Sequence, residues 1–297
     1  MSYFIVTDSA CDLSEDRLRE LKVGRCALTA NFQDGKVLED SFSQMSAKEF
    51  FDGMRSGTMS STAQVNSSLF YDMFKHGLAE YDRVVYIGLS EALSGTFQSA
   101  VLARITLEED YPESAGKVSL IDTKSVSLGQ GLLVLEACRK RDEGMAFDDL
   151  VRHIEHLKDR INQFITVEDL VYLKRGGRIS GFKAAVGHLL DIKPLLYVNQ
   201  EGRLHSFDKA KGRKKSIQAL AKRFHEMYDP ALGKDFAISH GDCLEEAQYL
   251  VRMLREEHDL NEPVIEPVGM VVGSHSGPGT IALFFPGKPR GEIKPNL

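Results

Sequence analysis

The sequence predicts an α/β protein of two domains: a parallel-sheet, three-layer α/β/α domain over residues 1–150 and an α/β domain with a mixed sheet over 151–285, followed by an extended or disordered tail over 286–297. Three observations carry this expectation. Buried-strand runs alternate with helical patterns through the first half, as expected of parallel strands joined by right-handed crossovers. Beyond residue 150, strand pairs joined by a short turn appear, and these belong to a mixed sheet. The 297 residues, at about 150 per domain, suffice for two cores.

In chain order, residues 3–7 read as the first strand. Asp12-Leu13-Ser14-Glu15 follows as a capping box, with Asp12 as N-cap and Glu15 reaching back to it. Residues 27–32 and 36–38 flank Gln33-Asp34-Gly35, whose Asp-Gly pair suits the positive φ of a tight hairpin turn, placing a hairpin at a sheet edge. Ser46-Ala47-Lys48-Glu49 opens a helix by the same capping logic. Leu69, Phe70, Met73 and Phe74 give residues 67–81 helical spacing, and the polar stretch 56–68 before them reads as a loop. Strands at 83–89 and 117–123 alternate with helices at 96–109 and 128–141. The second unit, from about Asp148, offers a helix (150–158), a strand (164–167) and helices around 170–174 and 182–190. A hairpin turning at Gln200-Glu201-Gly202, a long helix (213–227), a strand (236–239), a helix (244–257) and C-terminal strands complete it.

Composition narrows the function classes. With 42% apolar and 27% charged residues the chain can bury a sizeable core, which excludes a disordered or fibrous protein. A net charge of −6 argues against a duplex-DNA binder, which needs a basic face, so no nucleic-acid partner is expected. No apolar run approaches the roughly 20 residues that span a bilayer, so no stable membrane insertion is expected. The opening residues lack the basic and apolar regions of a secretion signal, which predicts a cytoplasmic protein. Cys11, Cys26, Cys138 and Cys243 are scattered without a CxxC pair and read as reduced structural thiols, with no metal site expected. There is no P-loop, and Gly129-Gln130-Gly131 lacks the third glycine of a dinucleotide fingerprint, so no nucleotide cofactor is expected.

Four clusters of small polar residues fall at strand ends or in loops: Thr7-Asp8-Ser9, 60–64, 93–96 and 273–279. Ligands of open α/β sheets bind beyond the carboxyl ends of the strands. In Ser94-Gly95-Thr96, Gly95 permits close approach to the backbone, Ser94 offers a hydroxyl, and the free N–H groups opening a helix favour a small carboxylate. Ser94 could equally be a helix cap, and Thr62 a turn residue. His275 lies among glycines and serines rather than on an apolar stripe, while His240-Gly241-Asp242 reads as structural. Arg175 and Arg178 flank a Gly-Gly turn and could present guanidinium forks to phosphate or acidic groups; the basic stretch 209–215 includes Arg213. Gly88-Leu89-Ser90-Glu91-Ala92 approximates a nucleophile elbow, with Asp242 and His275 following in order, so a serine hydrolase or esterase using Ser90 is the alternative.

Taken together, Thr7-Asp8-Ser9 with Asp12-Leu13, the run 93–100, Ile121-Asp122-Thr123-Lys124-Ser125 with Gly129-Gln130-Gly131, Leu173-Lys174-Arg175-Gly176-Gly177-Arg178-Ile179, Ile192-Lys193-Pro194 and His275-Ser276-Gly277-Pro278-Gly279 resemble the DegV family across nearly the whole chain. The resemblance implies a two-domain fatty-acid-binding protein that holds a long-chain acid such as palmitate between its domains. Some members present that lipid to a bacterial fatty acid kinase. It implies a non-catalytic role, no cofactor beyond the bound acid, and a kinase subunit as partner. Thr62, Ser94 and His275 would meet the carboxylate, with Ser61 and Gly95 as secondary candidates. Arg175, Arg178 and Arg213 would face the partner or its phosphate. The family loop Thr-Ser-Gln-Pro reads Thr62-Ala63-Gln64-Val65 here, so one hydroxyl is missing and Ser61 is its possible replacement.

Overall fold

A computed structural model of the chain describes residues 2–180 and 191–291. The first domain runs β1 (Tyr3–Asp8), α1 (Glu15–Glu20), β2 (Val23–Cys26), β3 (Thr29–Phe32), β4 (Val37–Glu39), α2 (Ala47–Arg55), β5 (Ser60–Ala63), α3 (Ser67–Glu80), β6 (Arg83–Gly88), α4 (Thr96–Asp110), β7 (Val118–Asp122), α5 (Leu128–Asp142) and α6 (Phe147–Leu157). The second runs β8 (Ile161–Thr166), α7 (Val171–Gly176), β9 (Ile179–Ser180), β10 (Ile192–Val198), β11 (Leu204–Lys211), α8 (Arg213–Met227), β12 (Ala237–His240), α9 (Leu244–Glu257), β13 (Val264–Pro267), α10 (Met270–Ser276) and β14 (Ile281–Pro286). The helix expected around 182–190 lies outside the described residues. Among those described, no helix is long and apolar enough to cross a membrane.

The parallel sheet has the order β2-β1-β6-β7. Alternation along its strands builds two cores. Val6, Val84 and Tyr86 face Phe70 and Phe74 of α3, whereas Ile5, Val85 and Ile87 face Leu132, Leu133 and Val134 of α5. The second sheet is mixed, β13-β12-β14-β8-β10-β11-β9, with α8 and α9 covering one face through Ile217, Phe224, Leu250 and Leu254. Helix α5 lies between the two sheets, and its first seven residues are all buried, including Gln130, whose Nε2 donates to Thr7, Asp8 and the Ile87 carbonyl. The Gly129-Gln130-Gly131 motif serves that position. A Cβ at Gly129 would come within 2.9 Å of Phe284 on the mixed sheet, and one at Gly131 within 2.9 Å of the Cys11 carbonyl.

Several local expectations are corrected. The N-cap of α1 is Ser14, which accepts from Arg17 N at 3.4 Å; Asp12 is buried with φ 54. The 32–37 hairpin turns with Gly35 at φ 88, yet it decorates no existing sheet edge. It pairs with β5, inside the stretch read as a loop, to form a third, antiparallel sheet β4-β3-β5. Two β-strand residues there are serines, and their pairing partners rather than hydrophobicity make the strand. The polar cluster 273–279, expected as a loop, begins inside helix α10. Of the segment read as an extended or disordered tail, Pro286 ends β14. Arg290 is buried and donates to the carbonyls of Lys124 (2.8 Å), Lys158 (2.9 Å) and Asn199 (3.3 Å). Burial lowers its guanidinium pKa to about 10.

Two carboxylates of the first domain hold α10 at its N-terminus. Gly269 N–H donates to Asp12 at 3.1 Å, and Val271 N–H to Asp40 at 2.9 Å. Both satisfy amides that a helix start leaves free. Ser127 also donates to Asp12, and Ser9 to Asp40 at 2.8 Å. Burial pushes Asp40 up to about 6, against the pull of the Val271 and Ser9 hydrogen bonds. A carboxyl raised on folding is protonated more readily in the native state, so its contribution is present below the unfolded value near 3.8 and is lost as pH rises through 6. The difference is about 3 kcal/mol. Asp40→Asn keeps an acceptor for Val271 and is expected to flatten the pH dependence of unfolding free energy between pH 4 and 7. An unchanged slope in urea titrations would refute this.

Candidate functional site

A cavity of about 190 Å3 lies between the two domains. Its walls are mainly aliphatic: Leu28, Leu89 and Val126 from the first domain, and Ile165, Leu196 and Phe284 from the second sheet. Thr62, Gln64, Ser94, Gly95, His275 and Arg178 supply most of its polar lining.

Strand alternation in β5 selects which hydroxyl takes part. Ser60 and Thr62 share the face toward α10, where Ser60 Oγ lies 2.6 Å from Ser274 Oγ and Thr62 Oγ1 lies 2.9 Å from His275 Nε2. Ser61 is exposed on the opposite face and does not line the cavity. It is therefore no substitute for the missing family hydroxyl. Ser94 stands just before Gly95, the N-cap of α4, and is not itself the cap. Its Oγ accepts from Thr96 N at 3.3 Å at the start of α4, pairs with Thr96 Oγ1 at 3.0 Å, and also borders the cavity. Val65 donates its N–H to Thr96 Oγ1 at 3.4 Å and ties the loop to the same turn.

His275 is held from two sides. Thr62 engages Nε2, and the ring packs on Gly176, where a Cβ would overlap Nδ1. Nδ1 is buried without a hydrogen-bond partner. Burial, with Arg178 as a second cause, lowers the imidazole pKa to about 4, so the ring is neutral at pH 7. Arg178 reaches back over the cavity, its Nε 3.2 Å from the Leu93 carbonyl and its Nη1 2.6 Å from that of Gly176. The arrangement presents one cation, one neutral imidazole and two hydroxyls to a small anion.

The other arginines stand apart. Arg175 is exposed with its guanidinium 5.6 Å from the Tyr172 ring. Arg213, a candidate for partner or phosphate contact, is instead ion-paired with Glu246 at 2.7 Å, across α8 and α9. The hydrolase alternative fails on geometry. Ser90 is fully buried and donates to the Gly202 carbonyl at 3.0 Å, Asp242 pairs with Arg55 at 2.6 Å, and His275 belongs to Thr62. Ser90, His275 and Asp242 therefore do not meet as nucleophile, base and orienting acid.

Sequence reasoning missed Gln64 and the inward side of Arg178. Gln64 donates to Ser99 Oγ at 2.9 Å and lays its Oε1 over Gly95, in the space a Cβ would fill. The signal was present in Gly95 itself, a glycine needed for close approach. Asp8, in the first polar cluster, is buried under Tyr86 OH (2.6 Å), Leu89 N (2.8 Å) and Gln130 Nε2 (3.1 Å). It shapes the turn after β6 without reaching the cavity.

Comparison with known proteins bears on the same fold and site. A family model described as "Uncharacterised protein, DegV family" matches residues 2–288. A DegV domain-containing protein of Clostridium perfringens is 39% identical over 285 residues, spanning 96% of this chain and 97% of that protein. The solved structure of a DegV family protein from Thermus thermophilus, described by its fatty acid binding, is similar with TM-score 0.86 and 30% identity, covering 97% of this chain and 100% of that one. A fatty acid binding DegV family protein from Streptococcus agalactiae is similar with TM-score 0.81 and 28% identity, covering 97% and 99%.

Proposed function

The chain belongs to the DegV family, and from that membership we propose that it binds one long-chain fatty acid between its domains. The acid's carboxylate meets Thr62, Ser94 and His275, and the protein offers it to a partner kinase for acyl-phosphate formation. The observation that carries this reading is the aliphatic cavity whose polar lining gathers around the Thr62–His275 pair. The fatty acid binding of the Thermus thermophilus and Streptococcus agalactiae proteins supports the ligand class. Arg178 joins the head-group set, and Arg175, exposed nearby, is left for the partner. The role is that of a binding subunit, with no cofactor of its own, and an ATP-using partner would put the work in the cytoplasm.

Magnitudes divide the labour. Burying about 14 methylenes at ~0.8 kcal/mol each gives roughly 11 kcal/mol before association costs, whereas each neutral hydrogen bond adds about 1 kcal/mol. The tail supplies affinity, and the head group supplies orientation. Native mass spectrometry of the protein purified from bacteria is expected to show one co-purified long-chain acid per chain. Delipidated protein that takes up no long-chain acid would overturn the proposal.

A further inference from the structure

Away from the cavity, the described residues bring together one set of donors that could hold a metal ion: His225 in the last turn of α8, Glu257 at the end of α9 and His258 just beyond it. Their ligand atoms all lie within 4.8 Å of one another. His225 Nδ1 is 2.7 Å from His258 Nε2, and Glu257 Oε2 is 3.5 Å from His225 Nε2. One proton therefore lies between two ring nitrogens that face each other, with the Glu257 carboxylate beside the far nitrogen of His225. That proton stands where a shared cation would stand.

The two rings are positioned before any ion arrives. Phe224, fully buried, meets His258 edge-on at 5.3 Å and His225 at 6.2 Å, and Tyr228 meets His258 at 5.3 Å. Both helices end at this spot, and their free carbonyl ends favour positive charge.

The geometry points to a site for a borderline divalent cation of the Zn2+ class, held by His225 Nδ1, His258 Nε2 and the Glu257 carboxylate with water in the fourth position, tying the ends of α8 and α9 together. Binding needs a lone pair on both His225 Nδ1 and His258 Nε2, so the proton between them moves to an outer ring nitrogen or to water. The 2.7 Å separation opens to about 3.3 Å, as two Zn–N bonds at a tetrahedral angle require. Glu257, exposed, rotates from Nε2 to the cation.

Calorimetric titration of the full chain with ZnCl2 tests this. One Zn2+ per chain is expected, with a dissociation constant well below about 100 µM and a Zn2+-dependent rise in Tm. His225→Gln and His258→Gln are each expected to weaken binding at least about tenfold, and Glu257→Gln severalfold. Fatty acid uptake by the same variants serves as the folding control, because none of the three residues lines the cavity. Failure to take up Zn2+ at about 100 µM, or a His258→Gln variant that binds and stabilises like the native chain, would overturn the assignment.

Discussion

On the proposed function, Ser94→Ala protein is expected to retain a loaded fatty acid while supporting acyl-phosphate formation by the proposed partner kinase at a rate lowered about 10- to 100-fold. The size follows from one hydrogen bond to a charged group, worth about 1.5–3 kcal/mol. The split follows from where that bond acts. In the proposed complex the aliphatic cavity takes the tail, so losing a hydroxyl at its polar end leaves most of the retention energy in place. Phosphoryl transfer needs the carboxylate oxygen within reach and in line, and an end that swings loses that geometry. Ser94 also accepts from Thr96 N at the start of α4, so a thermal melt must accompany the assay. Delipidated and reloaded Ser94→Ala protein that reacts at the native rate would remove Ser94 from the head-group site.

Gly202→Ala is expected to lower stability by about 3 kcal/mol. Gly202 sits at φ +77 in the turn joining β10 to β11, and a Cβ there would overlap Ser90 Oγ and stand 3.0 Å from Lys124 Cα. Left-handed backbone costs an L-residue about 1–2 kcal/mol. The rest comes from pushing the turn off the first domain, which strips the buried Ser90 hydroxyl of its acceptor at roughly 1–3 kcal/mol. Gly144→Ala separates the two contributions, since Gly144 has φ +84 with nothing within 4 Å of its Cβ position. It is expected to cost only about 1 kcal/mol. Equal losses for the two variants in urea unfolding would show that the turn does not dock as described.

The alternation of β6, α4, β7 and α5 was legible because short continuous apolar runs give way to longer helical patterns, and α8 and α9 bury one apolar face each on the second sheet. Strand β5 was not, since Ser60-Ser61-Thr62-Ala63 has no hydrophobic pattern and exists through pairing with β3, some thirty residues earlier in the chain. Helix α10 escaped for a related reason. Its start is capped by Asp12 and Asp40 rather than by a neighbouring residue, so the local sequence carries no capping signature. At the site, Ser94, Thr62 and His275 stood out as polar residues at strand ends, and the family resemblance joined them. Gln64 and the inward turn of Arg178 depend on what faces Gly95 and Gly176, which spacing along the chain does not encode. The Ser90 elbow pattern was a true local match, defeated by a hairpin from the other domain that covers the hydroxyl.

The capping of α10 from the first domain bears on when the site comes into being. Asp40 and Val271 are separated by 231 positions, and at about 5–20 residues per second synthesis takes roughly ten to fifty seconds to travel between them. Throughout that interval the nascent first domain carries two carboxylates without the amides they will accept from, and Thr62 waits without His275. Until His275 has been made, the proposed head-group site has only its first-domain half.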